Sequence, residues 1–237
     1  AFTIATGRSS FLVGKFAENL EIDVPIITSN GGSLFDARTR KQFASRDFED
    51  KKIRTLLRYL LENDADATLY SDEGIFFAPC SSRKFFVEGY NEGVEPAKQS
   101  PIIDIGMDYP EKEVIPHFNK ILLIKPNKTI YDILSADPEL EAICSGPDLY
   151  DIMPKGTSKG DALLSLADYL GIPRSNTFAI GDNENDVSMI SMASHGIAVG
   201  NATDGAKKAA EYISANYDSL GFAKAVYEFV IPLAQSF

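Results

Sequence analysis

The stretch Thr177-Phe178-Ala179-Ile180-Gly181-Asp182-Asn183-Glu184-Asn185-Asp186-Val187-Ser188-Met189-Ile190 decides how the chain is read. Four apolar or β-favouring residues run into a glycine and a burst of acidic and amide side chains, after which apolar residues return. That order predicts a buried strand ending in a turn that opens a helix, and ligands gather at the carboxyl ends of strands in α/β sheets. Asp182 and Asp186 offer what a Mg²⁺ ion requires, hard oxygen ligands from one or two carboxylates, with water and substrate phosphate completing the shell. The run also has a plainer use. Asn and Asp cap helices, and acids in a first turn suit the helix dipole. Taken alone, it leaves capping and metal binding both open.

On either side of this stretch, helical and strand periods alternate. A helix is expected over 159–170, a strand over 177–180, a helix over 185–193, a strand over 196–199 and a helix near 206–211, which is the pattern of parallel βαβ units. The start of the chain reads the same way. Residues 2–5 form a strand that runs into Thr6-Gly7-Arg8-Ser9, then Leu12, Val13, Phe16 and Leu20 recur at helical spacing, and a strand over 24–28 closes on Asn30-Gly31-Gly32. Between these two parts the character changes to α+β with antiparallel pairing. A helix is expected over 51–61, and strands over 67–70 and 75–78 flank Ser71-Asp72-Glu73-Gly74 as a hairpin. The expected fold is therefore α/β: a doubly wound, Rossmann-like parallel-sheet core from residues 1–33 and 153–237, carrying an α+β domain inserted at 34–152.

Composition narrows the function. A hydrophobic fraction of 44% over 237 residues is enough for real cores. The formal net charge of -11 argues against nucleic acid, whose binding rests on clustered Lys and Arg. An acidic chain that handles a phosphorylated substrate must concentrate positive charge locally. Cys80 and Cys144 are far apart and in no metal-like spacing, as in a reduced compartment. No apolar run approaches the ~20 residues of a membrane span, and no signal-peptide pattern opens the chain. A cytoplasmic protein without membrane contact is expected.

Two further places carry chemistry. Thr6, Gly7 and Arg8 stand where the first strand ends, and a hydroxyl, an unencumbered backbone and a guanidinium all suit phosphate oxygens; a plain strand-to-helix turn explains them as well. Lys159 opens a helix behind a capping-box-like Ser158 and Asp161, where the helix dipole disfavours a cation by a few tenths to ~1 kcal/mol. Something negative is expected to compensate: a bound phosphate beside a metal-holding carboxylate is one reading, and a solvated surface lysine is the plain alternative.

In chain order, these three places resemble the second, third and fourth motifs of the haloacid dehalogenase superfamily. More narrowly, Ile4-Ala5-Thr6-Gly7-Arg8, Ile27-Thr28-Ser29-Asn30-Gly31-Gly32, Met153-Pro154-Lys155-Gly156-Thr157-Ser158-Lys159-Gly160 and Gly181-Asp182-Asn183-Glu184-Asn185-Asp186 resemble the Cof-type sugar-phosphatase branch, over essentially the whole chain. The resemblance implies a Mg²⁺-dependent phosphatase of small phosphorylated metabolites, sugar phosphates foremost, working through an aspartyl-phosphate. It makes Asp182 the metal carboxylate, Asp186 its neighbour that ligates or orients the metal shell, and Asn185 a residue lining the phosphate. It makes Thr6 the hydroxyl that bonds the phosphoryl group with the Gly7 backbone alongside, and Lys159 the lysine that balances charge between nucleophile and phosphate. Arg8 and Asn30 match positions at the mouth of the site, and the inserted domain matches a mobile cap. A sugar phosphomutase on the same scaffold is the alternative enzyme, and a non-catalytic phosphate-binding module the alternative outside enzymes.

One motif of that family does not occur in these residues. Its Asp-x-Asp-Gly-Thr, which supplies the nucleophile and the general acid/base, has its nearest likeness in Asp64-Ala65-Asp66-Ala67-Thr68, but that string lies between a helix and a strand inside the insertion and reads as a polar turn. In the family the strand carrying the nucleophile is central in the sheet, so its loss would leave unpaired backbone costing about 1–3 kcal/mol per group. A preceding segment of some tens of residues is therefore expected in the intact protein. Intact mass spectrometry checks this: a value above 25.9 kDa is expected, and one equal to it would remove the expectation.

Overall fold

A computed structural model divides the chain into two units, residues 1–157 and 158–237. Residues 1–235 are described; residues 236–237 and the side chains of Lys15, Phe16 and Glu18 lie outside the described residues, so the expected buried position of Phe16 does too. Neither unit coincides with the core and insertion expected from the sequence.

In the first unit, the Ile27 N–H donates to the Ile4 carbonyl and the Thr6 N–H to the Ile27 carbonyl, each at 2.9 Å. These bonds hold the start of the chain parallel to β1 (Ile26–Thr28). The expected strand over 2–5 is thereby corrected to a single bridge, Ala5 to Ile27, because pairing reaches only from Ile4 to Thr6 and Phe2 is half exposed. A 3₁₀ turn, Ser10–Leu12, and α1 (Gly14–Asn19) bury Leu12 and Val13. Leu20, expected on the same buried face, lies one residue past the helix end and is exposed. Antiparallel pairing joins β1 to β2 (Ser33–Asp36) and β2 to β3 (Lys41–Ser45) in a three-stranded sheet.

The rest of this unit is built on a six-stranded sheet. In chain order its parts are α2 (Asp50–Glu62), β4 (Ala67–Ser71), β5 (Ile75–Phe77), α3 (Lys84–Asn91), β6 (Ile102–Asp104), β7 (Phe118–Ile124), α4 (Lys128–Ser135), β8 (Leu140–Gly146) and β9 (Leu149–Pro154). The strand order is β6-β5-β4-β7-β9-β8, antiparallel except for the parallel pair β5 and β6. Helix α2 forms where expected, its first turn carrying Asp50 bonded to Arg54 four residues on. Its buried stripe of Ile53, Leu56, Leu57, Leu60 and Leu61 packs with Leu69, Phe76, Phe118, Ile121, Leu123 and Ile152 in one core. The alternate strand residues Tyr70, Ile75, Phe77 and Leu122 pack with Leu12 and Val87 on the other face. The central strands β4, β5 and β7 are thus covered on both sides and almost wholly buried. The Asp64-Ala65-Asp66 string is the polar turn expected: Asp64 adopts a left-handed φ of 49°, and Asp66 accepts from the Ser82 N–H at 3.0 Å and its hydroxyl at 2.6 Å.

The second unit alternates as the sequence predicts. Helix α5 (Lys159–Tyr169) leads to β10 (Phe178–Gly181), α6 (Val187–Met192), β11 (His195–Ala198), α7 (Asp204–Ala209) and β12 (Tyr212–Ile213). The three strands are parallel, in the order β10-β11-β12. Two features were not foreseen: β12, only two residues long, and the helical run over 221–234, whose middle turn, Val226–Val230, is a π-helix. The α/β class stands. Among the described residues no helix is long and apolar enough to cross a membrane.

The α2 face generates a stability prediction. Leu57 is 1% exposed, so Leu57→Ala should cost about 2–5 kcal/mol in urea unfolding, whereas Phe85→Ala, at a site 80% exposed, should stay within about 0.5 kcal/mol of the parent.

Candidate active-site residues

In the second unit, β10 ends at Gly181, a position that admits nothing larger: a Cβ there would lie 2.6 Å from that of Asp186. The chain then turns through Asp182 and Asn183 into a 3₁₀ turn, Glu184–Asp186, that leads into α6. Asn183 caps this turn, taking the Glu184 N–H on its Oδ1 at 2.8 Å. Asp186 folds back under the loop. Its Oδ2 accepts the N–H groups of Asp182 at 2.9 Å and Asn183 at 3.1 Å, and its Oδ1 accepts the Lys159 ammonium at 2.5 Å.

Lys159 and Asp186 are both about 5% exposed. A solvated surface lysine is overturned. The negative group beside it is Asp186, 27 residues away, and of the three N–H donors an ammonium carries Asp186 takes one. Helix α5 begins as its sequence suggests, with Ser158 Oγ accepting the Asp161 N–H at 3.1 Å. Its first turn lies close against α6: a Cβ on Gly160 would meet the Ser188 carbonyl at 2.6 Å, and the Gly160 N–H donates to Ser188 Oγ at 3.1 Å.

Capping and charge pairing thus occupy Asp186, and Asp182 is the carboxylate turned to solvent. Incomplete hydration first, then the like charge of Asp186, raises the Asp182 pKa above that of an ordinary aspartate, while Lys159 opposes the shift. A carboxylate in that condition gains from a cation. Among the described residues no cluster of three acidic, His or Cys side chains forms a cage. The donor set fits Mg²⁺ held by one carboxylate with water and phosphate, and does not fit an all-protein cage. Asn185, half-buried, is the middle residue of the 3₁₀ turn.

In the first unit, the turn at Thr6, Gly7 and Arg8 is held from the loop after β1. The Asn30 N–H donates to the Thr6 carbonyl at 2.9 Å and the Ser29 N–H to the Arg8 carbonyl at 2.8 Å. Ser29, Asn30 and Gly31 all adopt positive φ, of 51°, 56° and 96°. For Ser and Asn this conformation is costly and persists only where the surroundings enforce it, as they do here. Asn30, expected at the mouth of a site, is instead fully buried, and its Nδ2 donates to Asp151 Oδ2 at 2.7 Å. It packs so closely under Gly7 that a Cβ there would stand 3.0 Å from its Oδ1. In this structure it supports the turn. Thr6 and Gly7 are half-buried and Arg8 is exposed. The Thr6 hydroxyl oxygen accepts the Arg8 N–H at 3.1 Å, closing the turn on itself.

Sequence reasoning passed over two charged residues here. Lys120 and Asp151 are 3% and 2% exposed, and their Nζ and Oδ1 lie 3.1 Å apart. The signal was present. Each is the one charge in its own otherwise apolar strand core, Ile121-Leu122-Leu123-Ile124 following Lys120 and Ile152-Met153 following Asp151.

A family model for haloacid dehalogenase-like hydrolases matches residues 1–226. The 5-amino-6-(5-phospho-D-ribitylamino)uracil phosphatase YwtE of Bacillus subtilis is 28% identical to this chain, over 93% of the chain and 83% of that protein. Among solved structures, a haloacid dehalogenase-like hydrolase from B. subtilis superposes with a TM-score of 0.79 at 23% identity, covering 96% of this chain and 87% of that one. The HAD subclass IIB sugar phosphatase BT4131 superposes with a TM-score of 0.75 at 21% identity, covering 96% and 84%. The last two likenesses speak for the fold, and the family match spans nearly all of the sequence. The chain belongs to the haloacid dehalogenase-like hydrolases.

Proposed function

We propose that this chain is a Mg²⁺-dependent phosphatase of small phosphorylated metabolites, with sugar phosphates as the leading class. The observation that carries the reading is the buried pair of Lys159 and Asp186 beneath solvent-facing Asp182. It fixes a cation and a carboxylate at a strand end where a phosphoryl group and a metal ion meet in this family. Mg²⁺ bound at Asp182 supplies charge neutralisation at the phosphoryl oxygens. Asp186 holds the two amides that shape the loop and takes a hydrogen bond from Lys159. In the family pattern that the motifs resemble, Lys159 matches the lysine that balances the charge of the phosphate and Asn185 a residue that lines it, while Thr6, with Gly7 and Arg8, matches the motif whose hydroxyl donates to a phosphoryl oxygen. Preorganised donors of this kind stabilise charge that develops on the transferring group.

The division of labour proposed for the chain follows the same reading. Residues 1–33 and 153–237 form the core that holds the phosphoryl group, and residues 34–152 form the cap that contacts the leaving group and excludes water. The named activity of YwtE, on a ribityl phosphate attached to a heterocycle, supports a polyol or sugar monoester as substrate. The family's nucleophile belongs to the Asp-x-Asp-Gly-Thr motif, which these residues do not contain, and Asp64 and Asp66 are committed to a turn.

Orthophosphate release from a panel of monoesters, sugar phosphates included, tests the reading in the protein as the cell makes it. Release from at least one, abolished by EDTA, is expected; a panel with no Mg²⁺-dependent release would sink it. A second expectation needs no turnover. Calorimetric titration with Mg²⁺ should show Asp182→Asn binding at least about tenfold more weakly than the parent, with unchanged thermal unfolding in the absence of metal. A third concerns the buried pair. Lys159→Met strands the Asp186 carboxylate, and urea unfolding should register a loss of about 3–5 kcal/mol, whereas Lys155→Met, at a largely exposed ion pair, should lose less than about 1 kcal/mol.

A further inference from the structure

Lys120 is a buried ammonium for which the reading above has no use. Strand alternation puts it on the face of the six-stranded sheet opposite α2, directly across from Tyr70, with its Nζ 4.5 Å from the centre of the Tyr70 ring. Its nearest carboxylate oxygen, Asp151 Oδ1 at 3.1 Å, lies off the line of a hydrogen bond, so that contact is one of charge. The hydrogen bond goes elsewhere: Lys120 Nζ donates to the carbonyl of Gly7 at 2.6 Å. Asp151 uses its other oxygen, Oδ2, for the amide of Asn30, which supports the same turn from below.

The consequence follows from peptide geometry. No cis peptide bond occurs among the described residues, and across a trans peptide the C=O and the next N–H point in opposite directions. Lys120 holds the Gly7 carbonyl on one side, so the Arg8 N–H is sent to the other, where Thr6 Oγ1 accepts it at 3.1 Å. Glycine is the residue whose following peptide turns over most freely, so this orientation needs a holder. A hydroxyl that receives an N–H on its oxygen keeps its own hydrogen to give away.

We propose that Lys120 is a positioning residue for the phosphate turn. By holding the Gly7 carbonyl it sets the Gly7–Arg8 peptide, and that peptide makes the Thr6 hydroxyl a hydrogen donor toward a phosphoryl oxygen. Asp151 lies against the ammonium in its buried place and, through Asn30, ties the loop after β1 to the same pair. The proposal rests on the phosphatase reading only in taking Thr6 to meet phosphate.

The test is calorimetric titration of the full chain with orthophosphate in Mg²⁺. The variants are Thr6→Ala, Lys120→Met, the charge-balanced Lys120→Met/Asp151→Asn, which leaves no lone buried carboxylate, and the combination of that pair with Thr6→Ala. Circular dichroism and urea unfolding establish that each is folded. The parent is expected to bind; Thr6→Ala and the Lys120 variants should each weaken binding about tenfold or more, as loss of a hydrogen bond to a charged group does. Because Lys120 acts through Thr6, the losses should not multiply: the combined variant should bind no more than about threefold more weakly than the weaker of Thr6→Ala and the charge-balanced pair. In the charge-balanced pair the Arg8 amide resonance should move as it does in Thr6→Ala. Parent-like phosphate binding by the charge-balanced pair overturns the role of Lys120, as do losses that multiply or an Arg8 amide left in place. Failure of the parent itself to bind orthophosphate overturns the phosphatase reading and the proposal together, and is told apart by the parent titration alone.

Discussion

A buried ammonium is stable only beside a carboxylate, and the two loops that matter most in this chain are each built around such a pair. In the second unit Lys159 rests on Asp186, whose other oxygen gathers the amides of Asp182 and Asn183. In the first, Lys120 rests against Asp151, whose other oxygen takes the amide of Asn30. In each case one carboxylate oxygen answers a charge and the other fixes a loop. Desolvation makes both pairs expensive to form and more expensive to leave half-made. Their value lies in geometry: a surface pair would leave the loops free to rearrange, whereas these arrangements leave the backbone few alternatives.

The two loops use their charge differently. At Asp186 the carboxylate organises backbone N–H groups and leaves Asp182, its pKa raised mainly by desolvation, as the group that faces solvent and gains from a cation. At Gly7 it is the ammonium that organises the backbone, by taking a carbonyl. The Tyr70 ring beneath Lys120 belongs to the same arrangement, and burial, followed by the charge of Asp151, keeps its hydroxyl well above the usual phenol range and hence neutral. A neutral ring offers its face to the cation without adding a second charge to be satisfied.

Much of this was legible in the sequence, for identifiable reasons. The alternation from Lys159 to Ile213 has strong local periods, so α5, β10, α6, β11 and α7 fall within a few residues of expectation. The hairpin of β4 and β5 follows from turn residues between two β-rich runs. Local signals fail where the partner is remote. Nothing near Phe2 tells that pairing stops at Thr6, and nothing near Leu20 tells that the helix ends one residue earlier. Asn30 looks like a loop residue at a mouth, and only its bond to Asp151, 121 residues away, shows it to be a buried support. Lys120 and Asp151 were readable in principle, since a lone charge in an apolar strand core must find a partner, but periodicity ranks apolar positions and passes over the exceptions.

The glycines at these sites set a limit on sequence change that side-chain chemistry alone would not suggest. Gly160, Gly181 and Gly196 each lie where a single added carbon would meet backbone or a fixed side-chain stem, at 2.6, 2.6 and 2.0 Å respectively. The first spaces the helix that carries Lys159, the second spaces the loop that carries Asp182, and the third lies in β11 against the end of α6. None offers a functional group to a ligand. In a saturation survey of substitutions they should nevertheless stand out as sharply as Asp182 and Lys159, so that intolerance to change maps the spacing of this fold as much as its chemistry.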